Sequence, residues 1–333
     1  MSKPKASAED QLIGRHFRPI ASHPAALGLM DDVALFEPPA GCDLVLKADA
    51  IIAGVHFFPQ DPAGAIAQKA LRVNLSDLAA KGATPSGFLL SLALPEATPD
   101  EWLHDFAEGL RSDAERYGCP LLGGDTDRTP GPVMVSIAAF GTVPHGAMTR
   151  RSGAKPGDWV FVTGTIGDAA LGLKLRREPG FGAWHQLAPQ EREHLLSRYL
   201  LPEPRLGLSE ALRQYASAAM DISDGLAGDL TKLCGASGIS AEIEIARVPF
   251  SAGAKRLIGA DPAAREVAVT GGDDYEVLCT VPPGNREAFR SAASAAGIAV
   301  TEIGRIVEGE GIPVFKGPDG QPLHFARLSF SHF

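Results

Sequence analysis

The stretch Asp221-Ile222-Ser223-Asp224-Gly225-Leu226 joins a short apolar segment to a helical pattern, and it contains two aspartates. Residues 219–222 predict the end of a buried strand, and residues 226–234 predict a helix. Asp221 and Asp224 would then flank the first turn of that helix. Free backbone amides there, and the hydroxyl of the serine between the aspartates, could face a phosphate while both carboxylates hold metal. This stretch therefore favours an α/β protein that binds a nucleotide.

Four more aspartates precede this stretch, and all six are predicted at breaks between apolar segments. A single aspartate of this kind is more often a helix cap or a turn former. The set as a whole favours magnesium, because hard cations prefer carboxylate oxygens and close like charges are tolerable only with metal present. We therefore expect the six side chains to converge on a shared group of divalent cations. They are Asp32, Asp49, Asp77, Asp125, Asp221 and Asp224.

Composition excludes several classes of protein. The chain has 333 residues, 45% of them hydrophobic, and a formal net charge of -9, which argues against a nucleic-acid binder. No apolar run approaches the roughly 18 residues that cross a bilayer, so no membrane segment is expected. The four cysteines are scattered without a paired spacing, which predicts neither a zinc site nor a disulfide framework. A reducing cytoplasm is the simplest location.

Strand and helix patterns alternate along the chain, so the fold class is α/β (α+β). Residues 63–81 predict a helix that Gly82 ends, and residues 159–163 predict a strand. Residues 178–190 predict an exposed loop, and residues 267–270 and 275–281 are expected to flank the acidic turn at 271–274. Residues 144–157 interrupt this alternation with prolines, glycines and basic residues. We place the domain boundary there. The predicted domains are residues 1–147 and residues 148–333.

Common nucleotide-binding motifs are missing. The chain contains no P-loop and no protein-kinase catalytic loop. Gly164-Thr165-Ile166-Gly167 follows a predicted strand but lacks the full dinucleotide spacing, so a tight strand-to-helix connection is the better interpretation. From its neighbours alone, His56 is better explained as a partly buried residue among aromatics. Arg151 belongs either to a solvated linker or to a phosphate clamp. A hairpin turn and a functional role explain the segment from Gly271 to Glu276 equally well.

Taken together, these segments resemble the thiamine-monophosphate kinase family, a branch of the aminoimidazole-ribonucleotide synthetase superfamily. The resemblance runs from about Leu27 to Phe333, and the order and spacing of the motifs match those of the family. Its most specific stretches are Lys69 to Ala80, Gly123-Gly124-Asp125-Thr126, Arg151 to Asp158, Asp221 to Leu226 and Gly271 to Glu276.

The resemblance implies a two-domain architecture. Residues 1–147 would form an N-terminal mixed sheet that binds ATP and metal and dimerises, and residues 148–333 would form a C-terminal α/β domain that completes the active site. The resemblance also implies a homodimer that transfers the γ-phosphoryl group of ATP to thiamine monophosphate. By motif position, the six aspartates named above would hold several magnesium ions, and Asp77, Asp125 and Asp224 would be catalytic. Residues at the ATP would be Gly124, Asp125, Arg151 and Ser223. Residues at the thiamine moiety would be His56, Asp273 and Phe330.

The chain departs from the family pattern around these motifs. Met30 replaces a glycine before the paired aspartates, and Lys47-Ala48 replaces two hydroxyl residues before Asp49. Backbone carbonyls could replace the lost oxygens, one ion could be lost, or Lys47 could act as a fixed positive charge. Asp273 replaces a glutamate and is one methylene shorter. These changes affect the number of metal ions and the substrate fit more than the class of reaction.

Two other functions stay open at this point. The first is another ATP-dependent enzyme of the superfamily, which activates an amide, a formyl group or selenide and uses phosphate as leaving group. A selenide enzyme would favour a reactive cysteine near the N-terminus, and Cys42 lies in a predicted strand instead. The second is a decayed nucleotide-binding protein without catalysis. Retention of all six aspartates argues against decay, because an unused site has no reason to keep repelling charges.

Overall fold

The computed structural model describes residues 7–178, 184, 186–309 and 311–329. The chain divides into two compact units. Unit 1 consists of Met1–Leu78 and Thr84–Gly146, and unit 2 consists of Ala79–Ala83 and Ala147–Phe333. The division of roles predicted for the two halves stays a prediction.

Unit 1 is built on a four-stranded mixed sheet with the strand order β1-β4-β2-β3. Strand β4 pairs antiparallel with β1 and β2, whereas β2 and β3 are parallel. The strands are β1 (Cys42–Ile52), β2 (Thr84–Leu94), β3 (Leu121–Arg128) and β4 (Met134–Pro144). The helices are α1 (Ala8–Leu12), α2 (Ala63–Ala80) and α3 (Asp100–Tyr117).

Helices α2 and α3 pack closely within unit 1. A side chain at Gly109 would lie 2.3 Å from the carbonyl oxygen of Gly64, so the two backbones approach as only glycine permits. The buried Asp113 carboxylate on α3 accepts hydrogen bonds from the Arg72 guanidinium on α2, at 2.5 and 2.9 Å. A buried pair of this kind fixes how the helices face each other, because removing either partner would leave a charge without compensation.

The outward face of the unit 1 sheet is unusually apolar. Side chains alternate along β1, so Val45 and Ile51 are buried while Leu44 and Leu46 point outward, 45% and 74% exposed. On β2, Leu89 is 40% exposed as well. Isolated exposed leucines are ordinary, but three on one face of the same sheet, with β4 between the two strands that carry them, form a surface that a partner could cover.

Unit 2 contains a six-stranded sheet with the order β10-β7-β9-β5-β8-β6, in which the β7–β10 pair alone is parallel among the described strands. The strands are β5 (Trp159–Thr163), β6 (Ala218–Ile222), β7 (Ser240–Glu244), β8 (Glu276–Val281), β9 (Val300–Val307) and β10 (Val314–Lys316). The helices are α4 (Asp168–Arg177), α5 (Pro189–Leu200), α6 (Ser209–Tyr215), α7 (Leu226–Ser237), α8 (Ala252–Ala260), α9 (Ala263–Thr270) and α10 (Arg286–Ala295).

The unit 2 sheet is covered on both faces. Val160 and Val162 on β5 belong to the core that includes Leu230 of α7, while Phe161 between them packs with Phe289 of α10. A strand buried on both faces reads as a continuous apolar run, which is why β5 and β8 were recognisable in the sequence. Two mixed sheets with helices confirm the predicted α/β (α+β) class.

Several sequence-based expectations about local structure are wrong. Asp49, Asp125 and Asp221 lie inside β1, β3 and β6, and Asp77 lies inside α2, so these four do not occupy breaks between elements. Residues 267–270, predicted only to flank the turn at 271–274, form the end of helix α9. Pairing with neighbouring strands decides the three strand cases. A polar residue can lie inside a strand when its side chain points toward a ligand site.

The predicted exposed loop at 178–190 is also only partly correct. Residues 179–183 and 185 lie outside the described residues, but Trp184 is buried and Pro189 begins helix α5. Among the described residues, no helix is long and apolar enough to cross a bilayer. The cytoplasmic location stays a prediction.

Candidate active site

In unit 1, one lysine joins two of the predicted aspartates. The two-residue period of β1 places Lys47 and Asp49 on the same face of the strand, and Asp77 reaches them from α2. Lys47 Nζ lies 3.0 Å from Asp49 Oδ2 and 2.7 Å from Asp77 Oδ2. Burial alone would lower the pKa of Lys47, but the charges of Asp77 and Asp49 and their hydrogen bonds raise it above its ordinary value.

A second group of predicted residues in unit 1 lines a cavity of about 670 Å³. Asp32, Gly124 and Asp125 belong to its wall, together with the apolar side chains of Phe17 and Leu29. Gly124 is required there: its φ is 155°, and a Cβ would lie 1.8 Å from the Leu90 carbonyl oxygen. An apolar cavity of this volume with a few polar groups is typical of small-molecule sites.

The sheet keeps these two groups apart. Asp49 is aligned with Ile137 on β4, while Asp125 is aligned with Ser91 on β2, so Asp49 and Asp125 lie on the two edge strands. Three strand spacings separate those edges, or about 14 Å. Over the described ranges, no group of three or more His, Cys, Asp or Glu side chains is placed to hold one metal ion. The structure thus brings the unit 1 aspartates together in pairs.

His56 lies in the turn that follows β1. Its Nδ1 accepts a hydrogen bond from the Ile52 amide at 3.0 Å, and its carbonyl oxygen accepts one from Lys69 Nζ at 2.9 Å. Because Nδ1 is an acceptor, the neutral ring carries its proton on Nε2. The residue is half-buried, and these bonds hold its ring in one orientation.

In unit 2, the loop after β6 is held by a residue that sequence reasoning missed. The buried Asp229 of α7 accepts hydrogen bonds from the amides of Ser223 and Asp224, at 3.0 and 2.9 Å. Those two amides are therefore not available to a phosphate, contrary to the expectation of free amides at this helix start. A carboxylate at the first turn of a helix is a common way to satisfy such donors, and its position four residues after Gly225 was the available indication.

Lys232 completes this loop. Its ammonium contacts the Asp224 carboxylate and lies 2.8 Å from Asp229 Oδ1. Burial raises the pKa of Asp229, while the Lys232 hydrogen bond lowers it, and the net shift is upward. Asp221, two residues before this loop on β6, is 4% exposed. The predicted pair Asp221 and Asp224 thus flanks a loop with a fixed backbone.

The acidic turn between α9 and β8 is bonded to the same loop. The Asp273 amide donates to the Ser223 carbonyl at 2.9 Å, and the Tyr275 amide donates to the Ile222 carbonyl at 2.8 Å. Asp273 and Tyr275 have φ values of 74° and 51°, which are costly for residues other than glycine. Strain of this kind persists where surrounding bonds enforce it, so the turn holds the predicted residue Asp273 beside Ser223.

The next residue of this turn has a structural task. Asp274 is buried and accepts hydrogen bonds from the amides of Gly167 and Ala169 at the start of α4, at 2.6 and 3.3 Å. Burial raises its pKa well above the ordinary value. The Gly167 amide, at the end of the 164–167 connection, thus binds a carboxylate of the protein itself, while the Gly164 and Ile166 amides donate to backbone carbonyls. This agrees with the interpretation of the stretch from Gly164 to Gly167 as a tight strand-to-helix connection.

A buried ionic cluster under the acidic turn was also missed. Glu276 accepts hydrogen bonds from Thr163 Oγ1 at 2.5 Å and from Arg198 at 3.0 Å, and it is paired with Arg205. Arg198 belongs to α5, a helix that the sequence pattern did not show. A glutamate that begins an otherwise apolar strand was the available indication, since a buried charge needs partners.

The remaining predicted residues are less constrained. Arg151 is exposed, and the carbonyl of its neighbour Arg150 accepts a hydrogen bond from the Ala219 amide at 2.8 Å, so the segment lies along β6. Phe330 lies outside the described residues.

The donor atoms in both units suit a hard divalent cation. A lysine ammonium contacts each of three aspartates, Asp49, Asp77 and Asp224. A positive charge is therefore stable beside these carboxylates. One turn before Asp77 on α2, Asn74 Oδ1 is buried and, within the described part of the chain, has no hydrogen-bond partner. Carboxylate and amide oxygens are the ligands that Mg²⁺ accepts, directly or through water.

Known proteins are similar to this chain along nearly its whole length. Residues 30–143 match the family described as AIR synthase related protein, N-terminal domain, and residues 155–316 match its C-terminal domain. Thiamine-monophosphate kinase of Caulobacter vibrioides is 42% identical over 325 residues, which cover 96% of this chain and 89% of the relative. The Escherichia coli K12 enzyme is 40% identical over 333 residues, covering 98% and 99%.

Solved structures are similar as well. The crystal structure of thiamine-monophosphate kinase from Stenotrophomonas maltophilia K279a has a TM-score of 0.81 and 38% identity, and it covers 94% of this chain and 96% of its own. AaThiL complexed with AMPPCP and TMP has a TM-score of 0.76 and 32% identity, with 89% of each chain covered. On this agreement of sequence and fold, the chain belongs to the thiamine-monophosphate kinase family, within the AIR synthase related proteins.

Proposed function

We propose that this protein transfers the γ-phosphoryl group of ATP to the phosphate of thiamine monophosphate, giving thiamine diphosphate and ADP. The observation that carries this proposal is the match over almost the full length to thiamine-monophosphate kinases, one of them complexed with AMPPCP and TMP. The geometry is compatible with this reaction. Unit 1 presents carboxylates beside a largely apolar cavity, and unit 2 presents them beside the loop that follows β6.

The chemistry needs few proton-transfer groups. The acceptor is a phosphate monoester with a second pKa of about 6, so it is mostly deprotonated near neutral pH. One of its oxygens attacks the γ-phosphorus of ATP, the bond from that phosphorus to the β–γ bridging oxygen breaks, and ADP leaves. The protein therefore has to hold two anionic phosphates in line rather than supply a strong base.

Several magnesium ions would be held by Asp32, Asp49, Asp77, Asp125, Asp221 and Asp224, with Asp77, Asp125 and Asp224 closest to the chemistry. When bound, the ions would cancel the repulsion between the two phosphates. The proposal is supported by the clustering of Asp49 with Asp77 and by the fixed loop that carries Asp224. Asp229 fixes the loop and is a positioning residue.

The ATP side is proposed from the cavity in unit 1. Its volume suits a nucleoside, its wall is largely apolar, and Gly124 and Asp125 lie where phosphates would follow. Arg151 and the Ser223 hydroxyl are proposed as further ATP contacts, because a guanidinium and a hydroxyl bind phosphate oxygens well.

The thiamine side is proposed at His56, Asp273 and Phe330. A carboxylate that a strained turn holds in place suits a cationic thiazolium ring, which supports the assignment of Asp273. His56 offers an imidazole with a defined tautomer. Phe330 rests on the family resemblance alone.

The selenide alternative has less support. All four cysteines are free, and Cys119, Cys234 and Cys279 are buried. Burial raises the pKa of Cys119 and of Cys234 to about 12, so neither thiol would be a thiolate at neutral pH. Cys42 is half-buried and begins β1, away from any acid or base named above.

A steady-state assay tests the function directly. Purified protein is incubated with ATP, magnesium and thiamine monophosphate, and the products are followed by phosphorus NMR. We expect resonances of thiamine diphosphate and ADP to appear in equal amounts. Release of inorganic phosphate without a diphosphate on thiamine would instead indicate a phosphate-activating synthetase, and no ATP consumption at all would indicate a decayed protein.

We also propose a homodimer formed through the outward face of the unit 1 sheet. The exposed leucines Leu44 and Leu46 on β1 support it, since burying them would recover hydrophobic free energy of about 25 cal/mol per Å². We expect Leu46→Asp to convert the dimer to a monomer, because a charge would be buried without a partner.

Light scattering coupled to gel filtration measures this change. Ile312→Asp is the matched control, since Ile312 is 60% exposed but lies in unit 2, before β10. A dimer that survives Leu46→Asp, or a wild-type monomer, would contradict the proposed interface.

A further inference from the structure

We propose that the Lys47 ammonium serves as a built-in cation of the phosphate-transfer site, in a position that a divalent ion would otherwise fill. The inference rests on the proposed function for the identity of the site. It assigns to Lys47 a role in setting how many divalent ions the protein binds and how tightly it binds them.

The position of the ammonium is the first argument. Lys47 Nζ lies between two carboxylates, 3.0 Å from Asp49 Oδ2 and 2.7 Å from Asp77 Oδ2. These are the distances of charge-assisted hydrogen bonds, and the same two oxygens are proposed metal ligands. A magnesium ion needs its ligand oxygens at about 2.0–2.1 Å, so it cannot share that space with the ammonium.

The strand geometry is the second argument. Position 47 shares a face with Asp49 because side chains alternate along β1, whereas Ala48 points to the other face and is exposed. Of the two residues before Asp49, Lys47 alone therefore lies on the face of this carboxylate. Lys47 is the residue expected to affect metal binding, and the alanine beside it is not expected to contribute.

Lys47 is held firmly between its two partners. Its side chain is 29% exposed, and the Asp77 side chain is 23% exposed, so the ion pair is partly shielded from water. Shielded pairs are screened less by salt than pairs on the open surface. Without Lys47, two carboxylates would remain close together without their cation, and their affinity for an added cation should rise.

The test uses Mn²⁺ as the probe, titrated into nucleotide-free protein near neutral pH and counted by calorimetry and by electron paramagnetic resonance. The variants are Lys47→Met, which keeps the length of the side chain, and Lys47→Ser, which offers a hydroxyl oxygen. Lys316→Met is the matched control, because Lys316 Nζ lies 2.7 Å from Glu242 at the β7–β10 pair, remote from the proposed ligands in sequence and sheet position.

We expect both Lys47 variants to bind one more Mn²⁺ per chain than wild type, or the same number about tenfold more tightly, with Lys316→Met unchanged. We also expect the melting temperature of metal-free Lys47→Met to fall and to recover when Mn²⁺ is added. Unchanged numbers and affinities in both folded Lys47 variants would overturn the inference. Because the titration needs no turnover, this outcome is distinct from a wild-type protein that fails to make thiamine diphosphate.

Discussion

Replacement of Asp77 by asparagine is expected to lower kcat by about a thousandfold or more while leaving the protein folded. Asp77 lies on α2, and its carboxylate contacts the Lys47 ammonium, which the Asp49 carboxylate also contacts. Asparagine keeps the shape of the side chain but removes the charge that balances the cations near the transferred phosphoryl group. Loss of one such group commonly costs about two to three orders of magnitude in rate.

The measurement is a steady-state assay at saturating ATP, thiamine monophosphate and magnesium, with circular dichroism to establish the fold. Asp105→Asn is a suitable control, since Asp105 is an exposed aspartate in α3, the other long helix of unit 1. A kcat near the wild-type value for Asp77→Asn at high magnesium would show that this carboxylate is not part of the catalytic group. The same comparison applies to Asp224→Asn in unit 2, for which we also expect loss of turnover.

Asp229→Ala is expected to lower the free energy of unfolding by about 2–4 kcal/mol and to abolish most activity. The buried carboxylate accepts hydrogen bonds from the amides of Ser223 and Asp224, and it contacts Lys232. Alanine would leave both amides without an acceptor and would release the loop that carries Asp224. Denaturant unfolding measures the loss of stability, and kcat reports on the position of the loop.

Asp229→Asn separates the two contributions of this residue. Its amide oxygen can still accept hydrogen bonds from the loop, while the buried negative charge is gone. Burial raises the pKa of Asp229, so the charge itself is costly and its removal is offset in part. We expect Asp229→Asn to lose less than half as much stability as Asp229→Ala. Equal losses in the two variants would mean that the charge, and not the hydrogen bonds to the loop, holds the structure.

Strong periodicity made much of the fold predictable. Helix α2 was expected at residues 63–81 and is observed at Ala63–Ala80, because its apolar side chains recur at helical spacing and Gly82 follows. Strand β5 was expected at its observed bounds, since a run buried on both faces is apolar throughout. Helices α5 and α8 were missed, and both bury their apolar side chains against other helices of unit 2.

The sequence predicted a set of candidate site residues, which stays a prediction, but it could not predict their arrangement. Motif order pointed to the six aspartates and Asp273, since most of them lie in short stretches that contain glycine, serine or a second aspartate. Asp229 and Glu276 were missed because their roles lie in bonds to other segments. The placement of Asp49 and Asp125 on opposite edges of one sheet also depends on strand order, which no local pattern encodes.

The amino-acid sequence by itself determined the class of the fold, the family and the chemical types of the candidate ligands, because those depend on composition, period and spacing along the chain. Tertiary structure alone decided which charges meet. It placed Lys47 between Asp49 and Asp77 and committed two loop amides to Asp229. The physical reason is that Coulomb and hydrogen-bond energies depend on separation in space, and residues far apart in sequence acquire that separation only through strand pairing and helix packing.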